Sequence, residues 1–204
     1  MPRIFDNIDQ QLLPALRESL EVAERADFCV GYFNLRGWKA IDSYIEAWSG
    51  RNGNACRLLV GMQKDPDDEF RDAFLHHESA DALDLQTVAR LRRSYALRFR
   101  EQLTIGTPTN EDERALRRLA EQLRARKVVV KLHVRHPLHA KLYLMHRSDN
   151  PMIGFVGSSN LTFAGLQKQG ELNVDVLDHD ACSKLAAWFD ARWNDKWCVD
   201  ISNG

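Results

Sequence analysis

His139-Ala140-Lys141, then Gly157-Ser158-Ser159-Asn160, then Glu171 bring an imidazole, an ammonium, hydroxyls, an amide and a carboxylate into one short stretch. In an extended segment, residues two apart project from the same face, so His139 gains a fixed positive charge beside it. That makes it a nucleophile or proton carrier. The Gly-Ser-Ser-Asn turn adds hydroxyls, an amide and free backbone N–H groups, which suit a phosphate. Glu171 could orient the imidazole, as a carboxylate does in a Ser-His-Asp triad. The set reads as a phosphodiester-cleaving site, with His139, Lys141 and Glu171 catalytic and Lys141, Ser158 and Asn160 binding phosphate. Taken singly, each has a plainer reading. A histidine at the start of a strand is commonly structural, Lys141 and Glu171 are ordinary surface charges, and Gly-Ser-Asn clusters commonly close turns. Their order together favours chemistry.

Metal is not expected at this site. Divalent ions at phosphoryl centres usually need clustered carboxylates, and the only second carboxylate nearby is Asp175. No cofactor is called for.

The elements that must hold these residues are strands. KVVVKLHV (127 to 134), AKLYLMH (140 to 146), MIGFVG (152 to 157) and ELNVDVL (171 to 177) follow one another closely. Upstream, DFCVGYF (27 to 33) and RLLVGMQ (57 to 63) read as buried strands. Residues 6 to 25 carry Ile8, Leu12, Leu13, Leu16, Leu20 and Ala23 on one side, as an amphipathic helix would, with the main helix beginning close to Pro14 and the proline in its first turn. Another helix runs to about Trp48, and further ones cover 67 to 78, 84 to 103, 111 to 126 and Asp178 to about Asn194. Thr109 or Asn110 is placed to cap the helix at 111. Helices interleaved with continuously apolar strands indicate a layered α/β architecture.

The stretch LHAKLYLMHRSDNPMIGFVGSSNLTFAGLQKQGELNVDV, starting at Leu138, resembles the HxK…GSxN…E signature of the phospholipase D superfamily. The order matches, as does the gap between Asn160 and Glu171 in its small bacterial nucleases. The full pattern is HxKxxxxD, and its aspartate position here is His146. Several nuclease branches lack that aspartate too, so the departure weighs against a lipase more than against a nuclease. From its RIFDN opening to its RWNDKWC ending, the chain also resembles the N-terminal domain that precedes the helicase in some bacterial superfamily 2 helicases. The resemblance implies a phospholipase D-like mixed sheet flanked by helices on both faces. It implies one domain over 1 to 204, the N-terminal part of a longer helicase-containing protein. Its implied activity is metal-independent cleavage of DNA phosphodiesters through a phosphohistidine. One histidine attacks phosphorus while a second protonates the leaving oxygen, and Lys141 neutralises non-bridging oxygens. With one HxK per chain, the resemblance implies a homodimer whose sites meet at a twofold axis. Alternatives from other classes are a phospholipid phosphodiesterase, a non-catalytic DNA-binding or dimerisation module of a helicase, and a lone restriction or antiphage nuclease.

Composition limits the partners. With 28 basic and 29 acidic residues the net charge is −1, so any polyanion site is a local patch. Arg90, Arg92, Arg93, Arg98, Arg100, Arg114, Arg117, Arg118, Arg124 and Arg126 lie on helices among Glu101, Glu111, Glu113 and Glu121. They suit either salt-bridged solvated faces or a nucleic-acid channel. His133, His136 and His146 are secondary candidates for substrate contact, and His76-His77 read as solvent-facing. Cys29, Cys56, Cys182 and Cys198 show no zinc spacing and read as reduced structural thiols. No apolar run reaches the ~20 residues of a membrane span, and no secretory leader is visible, so a cytoplasmic location is expected.

Overall fold

The computed structural model describes residues 1–61, 93–97, 99–101, 103, 109–135, 137–148 and 151–202. The expected helix at 67 to 78, most of that at 84 to 103, His76, His77, Arg90, Arg92, Arg98 and His136 lie outside these residues.

Among the described residues eight strands form one mixed sheet: β1 (Ile4–Phe5), β2 (Arg25–Val30), β3 (Cys56–Val60), β4 (Val128–His133), β5 (Leu142–His146), β6 (Ile153–Gly157), β7 (Asn173–Val176) and β8 (Cys198–Asp200). Their order across the sheet is β1-β7-β6-β5-β2-β3-β4-β8. β2, β3 and β4 run parallel, and every other pairing is antiparallel. The labelled helices are α1 (Leu12–Glu21), α2 (Leu35–Lys39), α3 (Asp42–Glu46), α4 (Asn110–Arg124), α5 (Phe163–Gln167) and α6 (His179–Trp193). Residues 93–97 are helical as well.

The strand residues divide between two cores with the period of two that a pleated strand imposes. Phe28, Val30, Leu58, Tyr143 and Met145 join the larger core with α1 to α5. Cys29, Leu59, Leu142 and Leu144 face the other way, onto Cys182, Phe189 and Trp193 of α6. Helices therefore cover both faces, as the resemblance implied.

Boundaries differ from expectation where side chains compete with regular backbone. The apolar pattern runs from residue 6, while the main helix, expected to begin close to Pro14, starts at Leu12 with Pro14 in its first turn. Before it, one carboxylate oxygen of Asp6 accepts from the N–H groups of Ile8, Asp9 and Gln10, and Asn7 at φ 63° accepts from Leu12 N–H. These bonds hold a loop where apolar spacing alone suggested a helix, and Ile8 is exposed. The single helix expected up to Trp48 is two short ones, α2 and α3. Thr109 caps α4 in a reciprocal box with Asp112. Asp178 caps α6 through Ala181 N–H.

β1 and β8 had no signal in the sequence, because two or three residues carry no periodicity. β1 is fastened by Arg3, whose backbone N–H and Nε donate to the buried Asp175 at 2.6 and 2.7 Å. Four cysteines are unpaired thiols. No described helix is long and apolar enough to cross a membrane.

Candidate active site

Antiparallel pairing brings the sequence-distant candidates to one end of the sheet. Leu142 pairs with Val156 across β5 and β6, which sets Lys141 beside Gly157, whose N–H donates to the Lys141 carbonyl at 3.3 Å. Gly157 pairs with Asn173 across β6 and β7, which sets Ser158 beside Leu172 and one residue from Glu171. His139 is positioned from the other side. Leu138 N–H donates to the Gly61 carbonyl at 3.0 Å, anchoring the approach to β5 on the end of β3. A Cβ on Gly61 would stand 2.2 Å from the Leu138 carbonyl oxygen, so only glycine permits this approach.

The imidazole and ammonium touch. Lys141 Nζ lies 3.0 Å from His139 Nδ1 and donates to the His139 carbonyl at 2.8 Å. Burial pulls the Lys141 ammonium below its ordinary value, against the raising influence of Glu171 and of Cys29 beneath it. Glu171 is thus close enough to act on Lys141 electrostatically. Its carboxylate takes a hydrogen bond from the Ser158 hydroxyl. No hydrogen bond joins it to His139 in the single chain. The histidine contact expected of Glu171 is occupied by Lys141.

The turn after β6 is fixed from three directions. Ser158 exchanges bonds with Leu172: its N–H donates to the Leu172 carbonyl at 3.0 Å, and its hydroxyl accepts from Leu172 N–H at 2.9 Å. Asn160 Oδ1 accepts from Tyr32 N–H at 2.8 Å, tying it to the chain just past β2. Ser159 is buried beneath. Its carbonyl accepts from Tyr143 Oη at 2.9 Å, its N–H donates to Asn173 Oδ1 at 3.2 Å, and its hydroxyl accepts from Asn173 Nδ2 at 2.8 Å. Burial pushes the Tyr143 hydroxyl well above its ordinary value, and the nearby Glu171 charge adds to this, so it stays a donor. A Cβ on Gly157 would stand 2.2 Å from the Leu172 carbonyl oxygen and 2.5 Å from Asn173 Oδ1.

Sequence reading missed Asn173, Tyr143 and Tyr32. The one legible hint was Asn173, an amide alternating into the apolar run ELNVDV, where a polar side chain must find partners.

Of the secondary histidine candidates, His146 does not join this end. His146 ends β5, roughly 20 Å of extended chain from His139. Its Nε2 lies 2.6 Å from Asp27 Oδ2, and Asp27 also accepts from Arg57 at 2.5 and 2.7 Å. The position where the full family pattern carries an aspartate therefore holds a histidine paired with a carboxylate on β2. His133 is buried at the C-terminal end of β4, whose parallel pairing with β3 puts it on the same end of the sheet as Gly61. On and after α4, Arg117 pairs with Glu113, Arg118 with Asp42 and Arg126 with Asp200, in keeping with a salt-bridged face. Among the described residues no group of three His, Cys, Asp or Glu could hold a metal ion.

Residues 16–193 match the family described as cardiolipin synthase, PLD-like domain. No curated protein matches the chain. Among solved structures, the fold is similar to NucT from Helicobacter pylori (13% identity, TM-score 0.52), with 98% of each chain covered. It is similar to Nuc from Salmonella typhimurium, a phospholipase D family member (10% identity, TM-score 0.52), covering 98% of this chain and 97% of that one. Phosphatidylserine synthase from Haemophilus influenzae (14% identity, TM-score 0.53) matches 98% of this chain and 39% of its own. The match spans the whole His139-to-Glu171 stretch and most of the sheet that gathers it; the chain belongs to the PLD-like domain family of the phospholipase D superfamily.

Proposed function

We propose that this chain is a metal-independent phosphodiesterase that cleaves DNA through a phosphohistidine, working as a single homodimerising domain and as the nuclease module of a helicase. The observation that carries the reading is the meeting of His139, Lys141, Ser158, Asn160 and Glu171 at one end of the sheet. Family membership supports phosphodiester chemistry.

In this reading an incoming phosphate draws the Lys141 ammonium from His139 Nδ1 onto its non-bridging oxygens. The imidazole changes tautomer through solvent, Nδ1 taking up a proton as Nε2 releases one, and Nε2 attacks phosphorus. The bond to the leaving oxygen breaks as the partner subunit's His139 delivers a proton to it. Water next attacks phosphorus as the partner subunit's His139 takes its proton back, the P–N bond breaks, and neutral imidazole returns. Ser158 and Asn160 hold the phosphate. Glu171, through Ser158 and its charge on Lys141, keeps the cluster in place.

The test is incubation of the purified chain with plasmid, single-stranded DNA, RNA and phosphatidylglycerol vesicles in excess EDTA. Strand cleavage that survives EDTA and disappears in His139→Ala supports the proposal. Strict dependence on magnesium or manganese refutes the mechanism. Turnover of vesicles alone would favour the phospholipid reading, which the family description also accommodates.

A further inference from the structure

We propose that Tyr32 and Phe163 form a base-stacking rim on this site, so that the substrate it takes is an unpaired nucleic-acid strand. The inference rests on the nuclease reading above and adds strandedness to it.

Among the large apolar side chains exposed in the described residues, only two are aromatic: Tyr32 at 47% exposure and Phe163 at 37%. Both flank the phosphate-binding turn. The Tyr32 N–H is the group that holds Asn160. The next residue, Phe33, bridges to Leu161 in parallel, and Asn34 N–H donates to the Leu161 carbonyl at 3.2 Å. The Tyr32 segment thus runs alongside the turn, and Phe163 opens α5 immediately beyond it. Thr162 fixes that start by accepting from Gly165 N–H at 3.0 Å. Both rings stand on anchored backbone, Phe163 three residues past Asn160 and Tyr32 hydrogen-bonded to Asn160 through its own N–H. Lys168 Nζ lies 5.2 Å from the centroid of the Phe163 ring, adding a cation on the same side of the turn.

Both rings leave part of their surface in water, and every nucleobase offers a π-face to stack on them, whatever its sequence. This matters in a chain of net charge −1, which lacks the general basic field that usually supplies nucleic-acid affinity. Inside a duplex both faces of a base are already stacked on neighbours. An unpaired strand leaves them free.

The experiment measures kcat/KM on three oligonucleotides of equal length: a base-bearing single strand, a single strand of tetrahydrofuran abasic residues, and the first strand annealed to its complement. The wild-type chain is expected to favour the base-bearing single strand over both others. Tyr32→Ala should lower the base-bearing to abasic ratio by roughly 5- to 150-fold. Tyr32→Phe should keep the ratio, because the ring is retained. The bond to Asn160 comes from the backbone, so both variants retain it. Equal wild-type rates on base-bearing and abasic strands, or an unchanged ratio in Tyr32→Ala, overturn the stacking rim while leaving the nuclease reading intact. No cleavage of any strand, or cleavage undiminished in His139→Ala, removes the nuclease reading and this inference with it.

Discussion

Asn173→Ala should separate the support of the site from its chemistry. The side chain is buried and makes three hydrogen bonds, to Ser159 N–H, to the Ser159 hydroxyl and to the Phe5 carbonyl. Alanine removes all three and leaves those partners buried. Each buried group left unpaired costs about 1–3 kcal/mol, and the ones that can turn to another partner cost least. The Ser159 hydroxyl can rotate, whereas its N–H cannot. We therefore expect a loss of about 2–4 kcal/mol, read as a fall in the urea midpoint at constant slope. The same bonds hold the turn carrying Ser158 and Asn160, and a displacement near 1 Å costs on the order of 10²-fold in rate. kcat/KM should fall by about that factor under conditions where the variant is fully folded. Asn173→Asp keeps the acceptor for Ser159 N–H and should fall between. Wild-type kcat/KM in a folded Asn173→Ala would refute the idea that this amide positions the turn.

Gly157→Ala, which drives a Cβ into the Leu172 carbonyl and Asn173 Oδ1, should cost about 1–3 kcal/mol and most of the activity, checked by denaturation and cleavage together. Lys141→Ala should lower kcat by roughly 10²–10³, the range for losing one preorganised donor to transition-state charge, with little change in the urea midpoint. Mixed dimers of His139→Ala and wild-type chains should retain no more than trace cleavage, measured on affinity-purified heterodimers; a fully active monomer would refute the twofold site. Burial pushes the Asp27 carboxyl up, but bonds from His146 and Arg57 outweigh it and hold it below its ordinary value. A depressed carboxylate stabilises the fold above the unfolded value of ~3.9, and that stability is lost as pH falls through the folded value. Asp27→Asn should therefore cost about 3–5 kcal/mol at neutral pH and flatten the stability profile below about pH 4, read from urea midpoints across pH.

The central strands and the site motif were legible because each is local. β3 to β6 announce themselves as apolar runs, and His139 to Glu171 keep a fixed order along the chain. What the sequence could not carry is what depends on register. That Gly157 faces Asn173, and that Tyr32 meets Asn160, follows from pairings between segments far apart in the chain. Short competing bonds were equally hidden: Asp6 and Asn7 replace a helical turn that Ile8 and Leu12 suggested. The Lys141 contact at His139, where Glu171 was expected, reflects two flexible side chains choosing among close partners. Spacing does not decide that.

The pairing of His146 with Asp27 makes two positions on neighbouring strands interdependent. His146→Asp would restore the full family pattern on β5, yet it would set a second carboxylate against the buried Asp27, where two negative charges resist ionising together. Arg57 is already shared between Asp27 and Asp190. Changing Asp27 first is no easier, since it takes the carboxylate from His146 and leaves Arg57 with Asp190 alone. Each single step is expected to cost stability, read from the urea midpoints of His146→Asp and Asp27→Asn. The histidine at this position is thus a lock between two strands, so that neither His146 nor Asp27 is free to change alone.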